Sequence, residues 1–206
     1  QVMDEARHTE FFQRYLGERV GKIYEQASAG KELFDYILSD PRWYIKTIGL
    51  QLVGETFAVA LFKMLSETAK DELLRYGCKL ILRDEARHMG FGMLSLPEQV
   101  KEMDAQERQE MEEFTIYFLR NTLTGGFPKE AYLDMGFNKA EIAEIRELRK
   151  EKAQSADFAM FRSLFKKEMH STLVNNLHRC GVLSETMKAN LEQELRVNVV
   201  EHLAAD

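Results

Sequence analysis

The chain is poor in residues that interrupt regular structure, with three prolines and twelve glycines in 206 residues. So few breakers exclude collagen-like and low-complexity architectures and argue against a many-stranded all-β fold. Cysteine is scarce too. Cys78 and Cys180 are far apart and form no Cys-x-x-Cys, leaving neither a disulfide framework nor a thiolate zinc site. That usage fits a reducing, cytoplasmic compartment. A basic excess is missing, with 28 Lys and Arg against 34 Asp and Glu and a formal net charge of -6. This argues against a nucleic-acid partner. No unbroken run of 18 apolar residues occurs, and on that ground no membrane-spanning helix is expected. The opening Gln1-Val2-Met3-Asp4-Glu5 has no basic-then-apolar leader and reads as the interior of a helix.

What the chain does have is helical spacing nearly throughout. Val2, Ala6, Phe11/Phe12, Leu16, Val20 and Ile23/Tyr24 recur at i, i+3 and i+4, which predicts one helix from residue 1 to about 27, broken by Ser28-Ala29-Gly30. A short helical piece over 31–38 precedes Ser39-Asp40-Pro41, a start signal for a helix over 41–66. That segment is apolar on most sides, as a central buried helix is. Ser66 or Thr68 is placed to cap a helix over about 69–95 that stops before Pro97. Further helices are expected over 98–123, 129–135, 139 to about 179 and 184 to about 203. Their breaks fall at Gly125-Gly126-Phe127-Pro128, Gly136 and Gly181, with Asn138 as a cap, and the acidic run 102–113 reads as a solvated helix face. The expected fold class is all-α, a helical bundle with a helical C-terminal extension.

One repeat stands out. Asp4-Glu5-Ala6-Arg7-His8 recurs letter for letter as Asp84-Glu85-Ala86-Arg87-His88. Ordinary residue frequencies give such a coincidence odds of roughly one in a hundred. Glu-x-x-His sets a carboxylate and an imidazole on one helical face, so two such helices facing each other offer two of each to a shared metal site. Carboxylate with imidazole suits iron and manganese. Glu55 sits alone inside the apolar stretch 50–61, where an unpartnered carboxylate is costly to bury. At about 1.5 Å per residue, antiparallel helices joined near residue 67 bring Glu55 and Glu85 to similar depth. Metal-bound histidines usually donate their other ring N–H to a carboxylate. Crossed pairing is therefore expected, with Asp84 holding His8, Asp4 holding His88, and Arg7 and Arg87 neutralising the aspartates. Met89 and Phe91, beside the second motif, are candidates to line a substrate cavity. His170, His178 and His202 lack the motif and are read as surface or core-edge residues.

Paired Glu-x-x-His helices with a lone glutamate between them resemble the ferritin-like diiron-carboxylate superfamily. The fuller Asp-Glu-x-Arg-His form resembles its oxygen-activating branch, which includes the hydroxylase subunits of bacterial multicomponent monooxygenases, the ribonucleotide reductase small subunit and related ligand-binding oxidases. The likeness covers about residues 1–95. It implies Glu5, His8, Glu55, Glu85 and His88 as metal ligands and catalytic residues, with two iron ions, or manganese and iron, and O2 as co-substrate. The family order also places one further helix, with a sixth ligand, upstream of residue 1. Residues 1–97 would then be the metal-binding part of a ferritin-like bundle whose first helix is absent from the chain, and 98–206 a helical extension packed on it in one domain. Three positions depart from subfamily patterns. Phe12 stands where the reductase has its radical tyrosine, Val59 where the monooxygenases have a threonine, and Leu50 where the oxidases have a tyrosine. The implied function is oxidation of a small, apolar organic substrate by an oxidase or oxygenase, supplied by an electron donor and working as a homodimer. The alternatives are a ferritin-type ferroxidase handling iron and a metal-free structural helical subunit.

Overall fold

The structure, a computed structural model, describes residues 1–23, 28–123, 129–152, 169–195 and 199. Every regular element among them is helical, which gives the all-α fold expected. The elements are α1 (Val2–Tyr15), α2 (Ser28–Ser39), α3 (Trp43–Lys46), α4 (Glu55–Thr68), α5 (Glu72–Glu102), α6 (Ala105–Leu123), α7 (Lys129–Asp134), α8 (Lys139–Lys152), α9 (169–179) and α10 (Glu185–Leu195). Two stretches wind more widely, as π-helix: Leu16–Val20 continues α1, and Thr47–Gly54 joins α3 to α4.

The segment Trp43–Thr68 is thus one continuous 26-residue helix, as its apolar character predicts. Ile45, Ile48 and Leu52 on it are fully buried. Burial of each contributes about 1.5–3 kcal/mol relative to exposure. They form the centre of a core shared with α2, α5, α6, α9 and α10. By length and composition this helix is apolar enough to cross a membrane, with mean hydropathy 1.5 over its most apolar window, of which 39% is buried. That corrects the reading from unbroken runs: polar residues scattered among the apolar ones interrupt any run without lowering the average enough. Here the helix serves as the core helix.

Several boundaries differ from expectation. The first helix ends at Gly21, not near residue 27, because Gly21 adopts a left-handed φ of 80° and its N–H closes on Leu16 O. Ser28-Ala29-Gly30 opens α2 instead of breaking α1. Ser66 and Thr68 do not cap α5; their hydroxyls donate back to Lys63 O and Met64 O inside α4. The cap is Asp71, which accepts from Leu74 N–H at 2.9 Å. α5 also runs through Pro97 to Glu102. A proline there removes one helical hydrogen bond, while the buried Leu96 and Val100 on either side hold the helix to the core. Asp104 then caps α6 in a reciprocal pair with Glu107. Asn138 caps α8 as expected, and Ser184 caps α10. The Gly125–Pro128 break, the middle of the predicted helix 139–179, the end of the last helix, Tyr24 and His202 lie outside the described residues.

The acidic run 102–113 is only partly a solvated face. Glu110 accepts from the Tyr44 hydroxyl at 2.7 Å and from Arg42 at 2.6 Å. These bonds, with one from Gln106, pull its carboxyl down to about 2. Arg42 also binds Asp40, so this cluster pins the α2–α3 corner to α6.

α1 is attached differently from the rest. Its apolar stripe predicts the helix, yet Val2 is 83% exposed and the one side chain it buries is His8. Phe12 stacks on Phe62 of α4 at 5.6 Å. Phe11 covers Gly77 of α5, where an added Cβ would lie 2.1 Å from its ring. Gly77→Ala is expected to destabilise the fold by about 1–3 kcal/mol, since the ring has to move. Gly90→Ala on the same helix meets no atom within 4 Å and is expected to stabilise it by up to about 1 kcal/mol. Urea unfolding of the two variants checks the difference in sign.

Candidate metal centre

The repeat meets itself across an antiparallel helix pair. Asp4 on α1 lies opposite His88 on α5, and His8 opposite Asp84. α1 runs parallel to α4, with Gln1 beside Gln51 and Glu55, and Phe12 beside Phe62. Three helices therefore converge: α1 brings Asp4, Glu5, Arg7 and His8; α5 brings Asp84, Glu85, Arg87 and His88; α4 brings Glu55 at its first residue. The π-helical turn sets Glu55's place, and the Glu55 N–H bonds to Leu50 O five residues back.

His8 Nε2 is 3.1 Å from Asp84 Oδ2, and His88 Nε2 is 3.0 Å from Asp4 Oδ2. This is the crossed pairing anticipated from the spacing. Arg7 binds Asp4 and lies 3.5 Å from Asp84; Arg87 binds Asp84 and lies 3.5 Å from Asp4. The hydrogen bond to His88, ahead of the arginine charges, holds Asp4 below the usual carboxylate range. Burial pushes Asp84 upward, but the bonds from His8 and Arg87 outweigh it and leave it lowered. Both aspartates are thus anionic acceptors for the Nε2 side of each imidazole, which leaves Nδ1 as the ring nitrogen turned inward.

Those inward nitrogens face carboxylates. His88 Nδ1 is 3.1 Å from Glu5 Oε1, 3.1 Å from Glu85 Oε2 and 3.8 Å from Glu55 Oε1. His8 Nδ1 is 3.3 Å from Glu85 Oε1 and 3.5 Å from Glu5 Oε2. It is buried and has no hydrogen-bond partner. Glu5 and Glu85 each face both imidazoles, so they occupy the position of shared ligands. Carboxylates gathered this closely repel unless positive charge lies among them, either protons or a metal ion. The local charge agrees. Asp4 and Asp84 are balanced by Arg7 and Arg87, which leaves Glu5, Glu55 and Glu85 without a cation among these motif residues.

Glu5, Glu55, Glu85 and His88 present ligand atoms within 4.8 Å of one another and can hold a metal ion. His8 stands outside that tightest group, on the far side of Glu5 and Glu85. Glu55, Glu85 and His88 are buried, whereas the Glu5 side chain is 47% exposed, so the group opens on the α1 side. Gln1 donates to Glu55 Oε1 at 2.8 Å across that opening.

Other sequence candidates fall elsewhere. Phe91 is 63% exposed and so is not enclosed by the fold, while Met89 is half-buried against α9. Tyr44 bonds Glu110 and Tyr15 stacks on Phe11. His178 is exposed and His170 half-buried on α9. Sequence reasoning did not single out Gln1, Gln51, Thr56 or Asn176. The one signal for the last was an amide on the same helical face as Leu173, Val174 and Leu177.

Comparison with protein-family models, curated proteins and solved structures finds no match. The class of protein is therefore defined by the fold and the site: an all-α helical bundle with a Glu/His group able to hold a metal ion, compatible with a ferritin-like diiron site.

Burial, with the hydrogen bond and charge of Glu85 and the charge of Glu5, pushes the Glu55 carboxyl up to about 9. The metal-free fold then keeps a proton that the unfolded chain releases near 4.5. The folded state binds more protons across that window, so Glu55 subtracts stability as pH rises from about 4.5 to 9. Urea unfolding of metal-free protein at roughly pH 5.5 and 8.5 is expected to show this loss, and Glu55→Gln a clearly smaller one.

Proposed function

We propose that the chain is the catalytic core of a dinuclear iron, or manganese–iron, oxidoreductase that uses O2 to oxidise a small, apolar organic substrate. One observation carries this reading: two imidazoles present their Nδ1 atoms to the same two carboxylates, Glu5 and Glu85. The donor set is imidazole and carboxylate throughout, which suits iron and manganese. When bound and reduced, the metals supply the O2-activating redox chemistry.

The residues of the chain do the rest. Glu5, Glu85, His8 and His88 would hold the metals, with Glu55 as the carboxylate at the buried end. Asp84 and Asp4 fix the histidine tautomers through Nε2, so that Nδ1 is always the ligating atom. Arg7 and Arg87 keep those aspartates ionised without placing positive charge at the centre itself. Glu55 holds a proton in the metal-free protein and releases it on loading, so metal uptake is favoured as pH rises. The open side at Glu5 leaves room for the sixth carboxylate that the family resemblance implies, and for access of substrate and an electron donor. Core packing around Leu52 and Val53 closes the opposite side to water.

Ferrous loading followed by O2 uptake tests the proposal. Wild-type protein is expected to bind close to two metals per chain and to consume O2. Glu85→Ala should lose both with its helical circular dichroism intact, and Asp84→Ala should bind metal about 10–100-fold more weakly. Unchanged O2 uptake in Glu85→Ala contradicts the assignment.

A further inference from the structure

The extension beyond residue 98 carries no metal motif, yet one of its helices bonds to residues next to Glu55 and His88. The buried face of α9 is apolar, with Leu173, Val174, Leu177 and Cys180 in the core, and Asn176 interrupts it at 6% exposure. A buried amide is costly unless its hydrogen bonds are used. The Asn176 amide donates to Thr56 Oγ1 at 3.0 Å and to Met89 Sδ at 3.2 Å. Thr56 is itself 1% exposed, and its hydroxyl donates to Leu52 O at 2.6 Å, within the π-helical turn. One turn further along α9, the Cys180 thiol donates to Met93 Sδ at 3.4 Å. Asn176 and Cys180 are four residues apart, as are Met89 and Met93, so the two contacts fix the register of α9 on α5.

The two partners of the amide have particular neighbours. Thr56 follows Glu55 and Met89 follows His88, the pair whose facing atoms lie 3.8 Å apart. Ridge packing of apolar side chains would hold α9 on the bundle, whereas the two N–H groups of one amide join α4 and α5 at those two positions at once. We propose that Asn176 is a positioning residue of the metal centre, fixing Glu55 against His88 from behind and making α9 a working part of the site. The inference rests on the metal-centre reading and adds to it a role for the C-terminal extension.

Cobalt(II) titration of the full chain tests it, because the visible absorption of bound cobalt reports ligand geometry independently of turnover. Asn176→Leu keeps the volume and removes the donor. It is expected to weaken cobalt binding by about tenfold or more and to shift the visible bands, while the circular dichroism of the metal-free protein is kept. Thr56→Val should reproduce both effects, Thr56→Ser should restore wild-type behaviour, and Asn176→Leu with Thr56→Val should add little to either alone. If Asn176→Leu does not fold, the contrast between Thr56→Val and Thr56→Ser carries the test. Wild-type affinity and an unshifted spectrum in folded Asn176→Leu, or in Thr56→Val, overturn the proposal. Wild-type protein that takes up no cobalt overturns the metal-centre reading, and this inference with it.

Discussion

Two inward-facing imidazole nitrogens set against a cluster of carboxylates are the constraint on which this structure turns. Two imidazoles, each held by an aspartate on the opposite helix, aim Nδ1 at Glu5 and Glu85. Nothing in a purely apolar packing scheme requires that arrangement, and the carboxylates gathered there repel one another until a positive charge enters. α1 depends on it most. The helix buries no apolar side chain, and His8 is the one residue it buries. Its position comes from the crossed aspartate–histidine pairs, the arginine bridges and two phenylalanines. A metal at the centre would join α1 to α5 through Glu5 and Glu85, turning the repulsion into the strongest tie between the two helices.

The rest of the fold supplies the rigidity this site needs. The core helix from Trp43 to Thr68 is packed by Ile45, Ile48 and Leu52, and its π-helical stretch ends where Glu55 begins. Burial that serves packing at Leu52 and Val53 raises the cost of an ionised Glu55 beside them. A single long α5 then carries the second motif and the seam with α9 on one uninterrupted scaffold. Packing and electrostatics are therefore coupled: α4 and α5 place Glu55, Glu85 and His88, and α9 packs on the residues next to Glu55 and His88.

Much of this was legible in the chain because helical spacing is local. The five-residue repeat fixes which side chains share a face, and the isolation of Glu55 among apolar residues marks it as a group with a partner. Crossed pairing of Asp4 and Asp84 follows from the length of the motif once the helices are antiparallel. Other features were not legible because they depend on distant contacts. Helical propensity places a stop at Pro97, whereas core contacts at Leu96 and Val100 carry the helix past it. Ser28-Ala29-Gly30 reads as a breaker until Gly21 is seen to end the preceding helix. The acidic run hides Glu110 because only the fold brings Arg42 and Tyr44 to it. Asn176 stayed invisible because Thr56 lies 120 residues away.

The central claim is that the space between His8 Nδ1 and His88 Nδ1 belongs to two metal ions. Anomalous diffraction from crystals of the metal-loaded protein, collected on both sides of the iron and manganese absorption edges, tests that claim most directly. The account predicts two anomalous peaks among Glu5, Glu55, Glu85, His8 and His88, changing across the iron edge or across both edges. Ordinary water density in that space, with no anomalous signal at either edge, would contradict it.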